Sequence, residues 1–215
     1  MIAPSILSAD FSNLLADIRE MESYGASWLH VDVMDGHFVP NMTIGPVVVE
    51  SLRPKTKSTL DCHLMVTDPE KMVPWFIKAG ADIITFHLEA TLQPEKIIKM
   101  IQESGKKAGV SIKPNTKVDL LKPLLAQLDL ILLMSVEPGF GGQVFQPEAL
   151  NKAKWLAAEK KKHAYRYLIE IDGGINSFTA MAAKAAGVEV FVAGSALFGA
   201  KDRKKAYLEL EKAIS

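Results

Sequence analysis

The chain has almost no cysteine: Cys62 is the only one in 215 residues. No intrachain disulfide can form, and a lone thiol suits a reducing compartment, so a cytoplasmic setting is expected. An excess of either charge is missing too. Lys plus Arg number 25 and Asp plus Glu number 25, for a formal net charge of zero. That balance removes the electrostatic reason to expect nucleic acid or an anionic membrane as a partner. No apolar run is long enough for a membrane span, so none is expected. The opening Met1-Ile2-Ala3-Pro4-Ser5 lacks a basic segment leading into an apolar one, so no secretory signal is expected either. Linkers and low-complexity stretches are absent. A dense charge run, Glu159-Lys160-Lys161-Lys162-His163, suits the solvated C-terminal end of a helix.

What remains is a chain that is 48% hydrophobic and alternates short apolar runs with amphipathic ones from end to end. Strands are expected at Ile2–Leu7, Trp28–Val33, Thr59–Met65, Asp82–Leu88, Gly109–Lys113, Leu130–Val136, Tyr167–Asp172 and Val188–Ala193. The helices expected between and after them are Asp10–Tyr24, Val47–Leu52, Glu70–Ala79, Pro94–Ser104, Val118–Gln127, Pro147–Lys162, Ser177–Ala186 and Arg203–Ile214. Strands alternating with helices imply a parallel sheet covered on both faces. Eight such units in this length fit one closed (β/α)8 barrel spanning residues 1–215 as a single domain. An open doubly wound sheet would need a glycine-rich turn after the first strand. Ser8-Ala9-Asp10 stands there instead, a helix cap.

Barrel strands should be apolar, yet several end in ligand-type side chains. In Trp28-Leu29-His30-Val31-Asp32-Val33, residues two apart share a face. With the valines outward against helices, His30 and Asp32 point into the barrel. The same alternation turns His63 inward in Asp61-Cys62-His63-Leu64, and Asp172 inward in Glu170-Ile171-Asp172-Gly173-Gly174. Four ionisable groups at one barrel mouth are costly without a partner. A divalent cation neutralises carboxylates and uses neutral imidazoles, so one such ion is expected, with Zn, Fe(II), Mn and Co all compatible. The competing reading is a hydrogen-bonded polar layer. Asp61 and Glu170 lie one step deeper on the same faces. They either orient ligating imidazoles or pair with a lysine such as Lys113.

Glycine-rich segments follow three adjacent strands: Val136-Glu137-Pro138-Gly139-Phe140-Gly141-Gly142-Gln143 after the sixth, Gly173-Gly174 after the seventh, and Gly194-Ser195 after the eighth. Glycine lets backbone N–H groups approach an anion closely, and barrels commonly bind phosphate here with a short extra helix. Ser195-Ala196-Leu197-Phe198 is a candidate for that helix. No Arg or Lys lies in these segments, so binding would rest on backbone donors. Met34, Met65 and Met134 recur near the same strand ends, as core filling or as the wall of a dry pocket.

These motifs together resemble the ribulose-phosphate 3-epimerase family. The resemblance is carried by Ile2-Ala3-Pro4-Ser5-Ile6-Leu7-Ser8-Ala9-Asp10-Phe11, by His30-Val31-Asp32-Val33-Met34-Asp35-Gly36-His37-Phe38-Val39-Pro40-Asn41, by Asp61-Cys62-His63-Leu64-Met65, and by the segments at Val136–Gln143, Ile171–Gly174 and Val192–Ser195. It runs in order over the whole chain. It implies a ribulose-phosphate-binding (β/α)8 barrel that interconverts D-ribulose 5-phosphate and D-xylulose 5-phosphate. It also implies metal ligands at His30, Asp32, His63 and Asp172, and an acid–base pair at Asp32 and Asp172. Substrate contacts are implied at Ser5, His63, Gly139, Phe140, Gly141, Gly142, Asp172, Gly173, Gly174, Gly194 and Ser195. A homo-oligomer acting on a small sugar phosphate is the expected assembly. A related ketose-phosphate 3-epimerase, such as one for D-allulose 6-phosphate, would use the same residues. The barrel decarboxylases carry Asp-x-Lys-x-x-Asp at a strand end, and Asp32-Val33-Met34-Asp35 has no such lysine. A non-catalytic sugar-phosphate binder would have no use for two opposed carboxylates.

Overall fold

A computed structural model describes residues 1–215. Eight parallel strands form one sheet: β1 (Ile2–Pro4), β2 (Trp28–Met34), β3 (Thr59–Met65), β4 (Ile83–His87), β5 (Lys107–Ile112), β6 (Leu130–Met134), β7 (Leu168–Asp172) and β8 (Val190–Ala193). Their order is β1-β8-β7-β6-β5-β4-β3-β2, and a parallel bridge between Ser5 and His30 closes the ring. The molecule is a single (β/α)8 barrel. Its helices are α1 (Leu14–Ser23), α2 (Pro46–Leu52), α3 (Pro69–Ala79), α4 (Pro94–Glu103), α5 (Ala149–His163), α6 (Ser177–Ala185), the one-turn α7 (Ser195–Phe198) and α8 (Arg203–Ala213). No helix is long and apolar enough to cross a membrane.

Two apolar cores follow from the alternation along each strand. Outward residues such as Val31, Val33, Cys62, Leu64, Ile84 and Phe86 join helix residues in a 50-residue cluster between sheet and helices. A separate cluster fills the barrel itself. Within it, Trp28, Ile83, Leu130 and Val190 are the first residues of β2, β4, β6 and β8. One side chain from each alternate strand is how a closed barrel fills a layer of its interior. Burying each such side chain contributes roughly 1.5–3 kcal/mol. This plug at the N-terminal ends leaves the opposite mouth for polar groups.

Two expected elements differ from those observed. The first strand stops at Pro4, because Ser5 N bonds to Ala193 O at the end of β8. With no ladder partner beyond it, the chain tightens into a 3-10 turn at Ile6–Ser8. The helix expected at Val118–Gln127 is only a 3-10 turn at Val118–Leu121 followed by irregular turns. Pro123 sits inside that stretch, and without an N–H it cannot continue an α-helix.

Candidate metal and acid–base site

The four residues singled out by alternation meet at one point. His30 and Asp32 on β2, His63 on β3 and Asp172 at the end of β7 offer ligand atoms that all lie within 4.8 Å of one another. Register explains the meeting: Asp32 is the cross-strand partner of His63, and Ser5, just beyond β1, bridges to His30. His30, Asp32 and His63 are buried, whereas Asp172 is partly open to the cavity above.

Hydrogen bonds orient the imidazoles before any ligand arrives. His30 Nδ1 lies 2.6 Å from Asp61 Oδ2. An ionised carboxylate only accepts, so Nδ1 carries the proton and donates it. Nε2 then presents its lone pair; it has no hydrogen-bond partner and lies 3.3 Å from Asp32 Oδ1. His63 Nδ1 lies 3.1 Å from the same oxygen. Two ring nitrogens thus converge on one carboxylate oxygen, with Asp172 alongside. This donor set fits a divalent cation of the Zn, Fe(II), Mn or Co type. The site calls for positive charge: burial pushes the His30 pKa down, but Asp32 and Asp61 outweigh it and raise it well above the usual imidazole value, so a bound cation would take the place of a proton on Nε2.

Of the deeper pair, Asp61 takes the orienting role: it accepts from His30, while Lys113 Nζ lies over the Phe38 ring at 4.0 Å. Glu170 takes neither expected role: Oε1 lies 3.7 Å from His30 Nδ1, and both its oxygens lack a hydrogen-bond partner. Burial, reinforced by Asp61, pushes its pKa well above the carboxylate range, a shift toward the neutral acid that lowers the cost of burying it.

The pKa values of Asp32 and Asp172 are pushed in opposite directions. Burial raises Asp32, but His30 and His63 more than compensate and hold it below the usual carboxylate range. Asp172 is raised to about 7, by burial first and then by the negative charge of Asp32. Like charges this close favour one proton between them. Ser5 Oγ donates to Asp32 Oδ2 at 2.6 Å and fixes that carboxylate from the side away from His63 Nδ1.

Above the cluster lies a cavity of about 50 Å³ that opens to solvent. Ser5, Asp32, His63's neighbour Met65, Met34, Met134 and Asp172 form its floor and walls, and all three glycine-rich segments form its rim. Every other substrate-contact residue implied by the resemblance except His63 lines it: Gly139, Phe140, Gly141, Gly142, Gly173, Gly174, Gly194 and Ser195. The methionines serve both expected roles, since Met34 and Met65 also pack with Val39, and Met134 with the barrel plug. The sixth loop is tethered over the mouth. Asn41 Nδ2 donates to Gly139 O at 2.7 Å, and Gln143 Nε2 donates to Glu137 O at 2.7 Å and Phe140 O at 2.8 Å.

One group at this mouth was not singled out from the sequence. His87, the last residue of β4, is fully buried against His63, with Nε2 to Nε2 at 2.9 Å. Its Nδ1 lies 3.2 Å from Glu89 Oε2. Burial holds His87 down to about 4, a neutral ring, and Glu89 is held at about 2 because contacts from His87, Thr116 and Lys113 N overcome its burial. The alternation Ile83, Thr85, His87 would have turned His87 inward beside His63.

Residues 1–198 match the model of the ribulose-phosphate 3 epimerase family. The ribulose-phosphate 3-epimerase of Bacillus subtilis is 50% identical over 212 residues, covering 97% of each chain. That of Synechocystis is 49% identical over 208 residues, covering 96% of this chain and 90% of the relative. Among solved structures, the 3-keto-L-gulonate-6-phosphate decarboxylase of Vibrio cholerae superposes with a TM-score of 0.72 at 19% identity, covering 99% of this chain and 95% of that one. A 3-hexulose-6-phosphate synthase does so with a TM-score of 0.71 at 20% identity, covering 100% and 98%. At such low identity these two structures speak to the barrel fold alone.

Proposed function

Since this chain belongs to the ribulose-phosphate 3-epimerase family, we propose that its barrel mouth performs a two-base epimerisation at C3 of D-ribulose 5-phosphate, giving D-xylulose 5-phosphate. The enzyme is an isomerase. The observation that carries the mechanism is that the carboxylates of Asp32 and Asp172, from β2 and β7, meet in one cluster at the mouth, with their pKa values pushed in opposite directions.

Epimerisation removes a proton beside a ketone and returns one to the opposite face of the same carbon. Two positioned groups are needed, one ionised and one protonated. Asp32 enters in the ionised form and takes the C3 proton. Asp172 enters protonated and delivers its proton to the other face; the reverse reaction exchanges the roles. The two side chains come from β2 and β7, with β1 and β8 between them in the ring, so a substrate lying across the mouth is flanked by both. Ser5 holds Asp32 through its hydroxyl, and Asp61 holds His30. A divalent ion held by His30, Asp32, His63 and Asp172 would supply Lewis-acid stabilisation for negative charge that develops on the substrate oxygens. Backbone N–H groups of Gly141, Gly142, Gly174, Gly194 and Ser195 receive the phosphate at the rim. The methionines keep the reacting carbon away from bulk water. On its family membership we also propose that the enzyme works in the cytoplasm as a homo-oligomer.

Protein purified without chelator should contain one divalent ion per chain and turn over D-ribulose 5-phosphate faster than D-allulose 6-phosphate. Chelation should abolish that activity, and added divalent ion should restore it. Full activity in a demonstrably metal-free protein would contradict the reading, as would a preference for the hexose.

A further inference from the structure

We propose that His87 and Glu89 are positioning residues that fix the tautomer of His63 so that its Nδ1 lone pair faces the metal position. The chain of contacts is continuous. Glu89 Oε2 lies 3.2 Å from His87 Nδ1, and His87 Nε2 lies 2.9 Å from His63 Nε2. A carboxylate only accepts, so His87 Nδ1 donates to Glu89. In a neutral ring that leaves His87 Nε2 as the acceptor. The short Nε2–Nε2 contact then requires His63 to be the donor, with its proton on Nε2. Nδ1 of His63 is left bare, facing Asp32 Oδ1 at 3.1 Å across the four-residue cluster, where a cation would take both lone pairs. The opposite tautomer would put two lone pairs face to face at 2.9 Å between His63 and His87, and His87 is outside that cluster, so no cation would relieve them.

The rest of the surroundings hold this chain rigid. Glu89 Oε1 accepts from Lys113 N at 2.8 Å and from Thr116 Oγ1, so the carboxylate is pinned to the loop after β5. That loop is itself pinned, because Lys152 Nζ donates to Lys113 O at 2.8 Å and to Pro114 O at 2.6 Å. Phe38 packs on the His87 ring at a 42° tilt with centroids 4.8 Å apart, and Lys113 Nζ lies 4.0 Å from the Phe38 ring centroid. A buried histidine that only filled space would not need a carboxylate anchored by two further donors. The arrangement parallels the one on the other side of the cluster, where Asp61 sets the tautomer of His30. Each ligating imidazole thus has its own acceptor, one direct and one relayed.

The proposal rests on His63 being a metal ligand, and the test separates the two claims. His87→Leu removes the acceptor and His87→Gln keeps one near the Nε2 position. Both would be made in the full chain, and the dissociation constant for Zn²⁺ measured by competition with a chromophoric chelator. Nitrogen-15 spectra of histidine-labelled protein, with and without Zn²⁺, would report which His63 nitrogen carries the proton. His87→Leu should weaken Zn²⁺ binding about 10–100-fold, the usual cost of losing an outer acceptor, and should give a mixture of His63 tautomers in the metal-free protein. His87→Gln should recover most of the affinity and a single Nε2–H tautomer. Glu89→Ala lies at the mouth, where the side chain is 23% exposed, so it folds with little risk and should change affinity and tautomer in the same direction. If His87→Leu and Glu89→Ala both bind Zn²⁺ as tightly as the parent with the His63 tautomer unchanged, this proposal falls while the ligand assignment stands. If His63→Ala binds Zn²⁺ as tightly as the parent, the ligand assignment falls and takes the proposal with it.

Discussion

Two glycines at the phosphate rim should respond very differently to the same substitution. Gly174 has φ of +60°, and a Cβ placed there would lie 2.6 Å from Phe145 N and 2.9 Å from Gln143 O. Both neighbours are backbone, so neither can swing away. Gly174→Ala carries a left-handed backbone cost of about 1–2 kcal/mol and an overpacking cost of about 1–3 kcal/mol. The sum, about 2–5 kcal/mol, converts at roughly 2–4 °C per kcal/mol to a Tm lowered by about 4–20 °C for a domain this size. Gly194 has a negative φ of −104° but a ψ of −90° outside the common regions, and its Cβ would meet the Ser8 hydroxyl at 2.6 Å, with Ser8 Cβ at 3.4 Å and Ser5 Cβ at 3.6 Å. A serine hydroxyl can rotate, so once Ser8 moves Gly194→Ala should cost little beyond a backbone strain of about 1–3 kcal/mol, less than Gly174→Ala. It should still raise KM, because the added methyl and the displaced hydroxyl crowd the rim where the phosphate is placed. Gly194→Val should raise KM more. Calorimetric melting and steady-state kinetics on all three variants separate the effects. Adding Ser8→Ala to Gly194→Ala should recover part of the lost stability. Equal Tm losses for Gly174→Ala and Gly194→Ala would refute the reasoning about which neighbours can yield. An unchanged KM in Gly194→Val would show that the phosphate lies elsewhere.

Three further outcomes are expected. Asp32→Asn and Asp172→Asn should each lower kcat by at least about 10²–10⁴, the usual cost of a positioned acid or base, and metal content measured beside the kinetics separates lost proton transfer from lost ligation. Ser5→Ala removes a hydroxyl donated to a buried carboxylate, a bond of about 1.5–3 kcal/mol; kcat should fall with metal retained, and an unchanged kcat would deny Ser5 a part in placing Asp32. Arg203 Nη1 joins Asp17 and Glu20 on α1 at 2.8 Å each, and its Nε donates to Phe198 O at the end of α7; Arg203→Ala should lower stability measurably in urea titration, with the loss smaller at high salt because the arginine is partly solvated.

Much of this was legible in the sequence because a barrel strand has a period of two. Once Val31 and Val33 are placed outward, His30 and Asp32 have only one direction left, and the structure brings them to His63 and Asp172. The glycine segments after β6, β7 and β8 were equally plain, although positive φ at Gly139, Gly142, Gly173 and Gly174 calls for glycine there whether or not an anion approaches. The fifth helix was misread because Leu120, Leu121, Leu124 and Leu125 repeat with helical spacing, and that pattern outweighed Pro123 in the reading. His87 was passed over because it closes an otherwise apolar strand, and its partner Glu89 lies beyond the strand's end. The protonation states of Asp32 and Asp172 had no signature in the sequence. They arise from which charges the closed barrel brings within reach, and residues 140 positions apart become neighbours only in the fold.

The most direct test is a single turnover of D-ribulose 5-phosphate in deuterium oxide, followed by NMR at C3 of the product. Two bases on opposite faces predict D-xylulose 5-phosphate that carries solvent deuterium at C3 from the first turnover. Product that keeps the original C3 hydrogen would point to one shared base and contradict the roles given to Asp32 and Asp172.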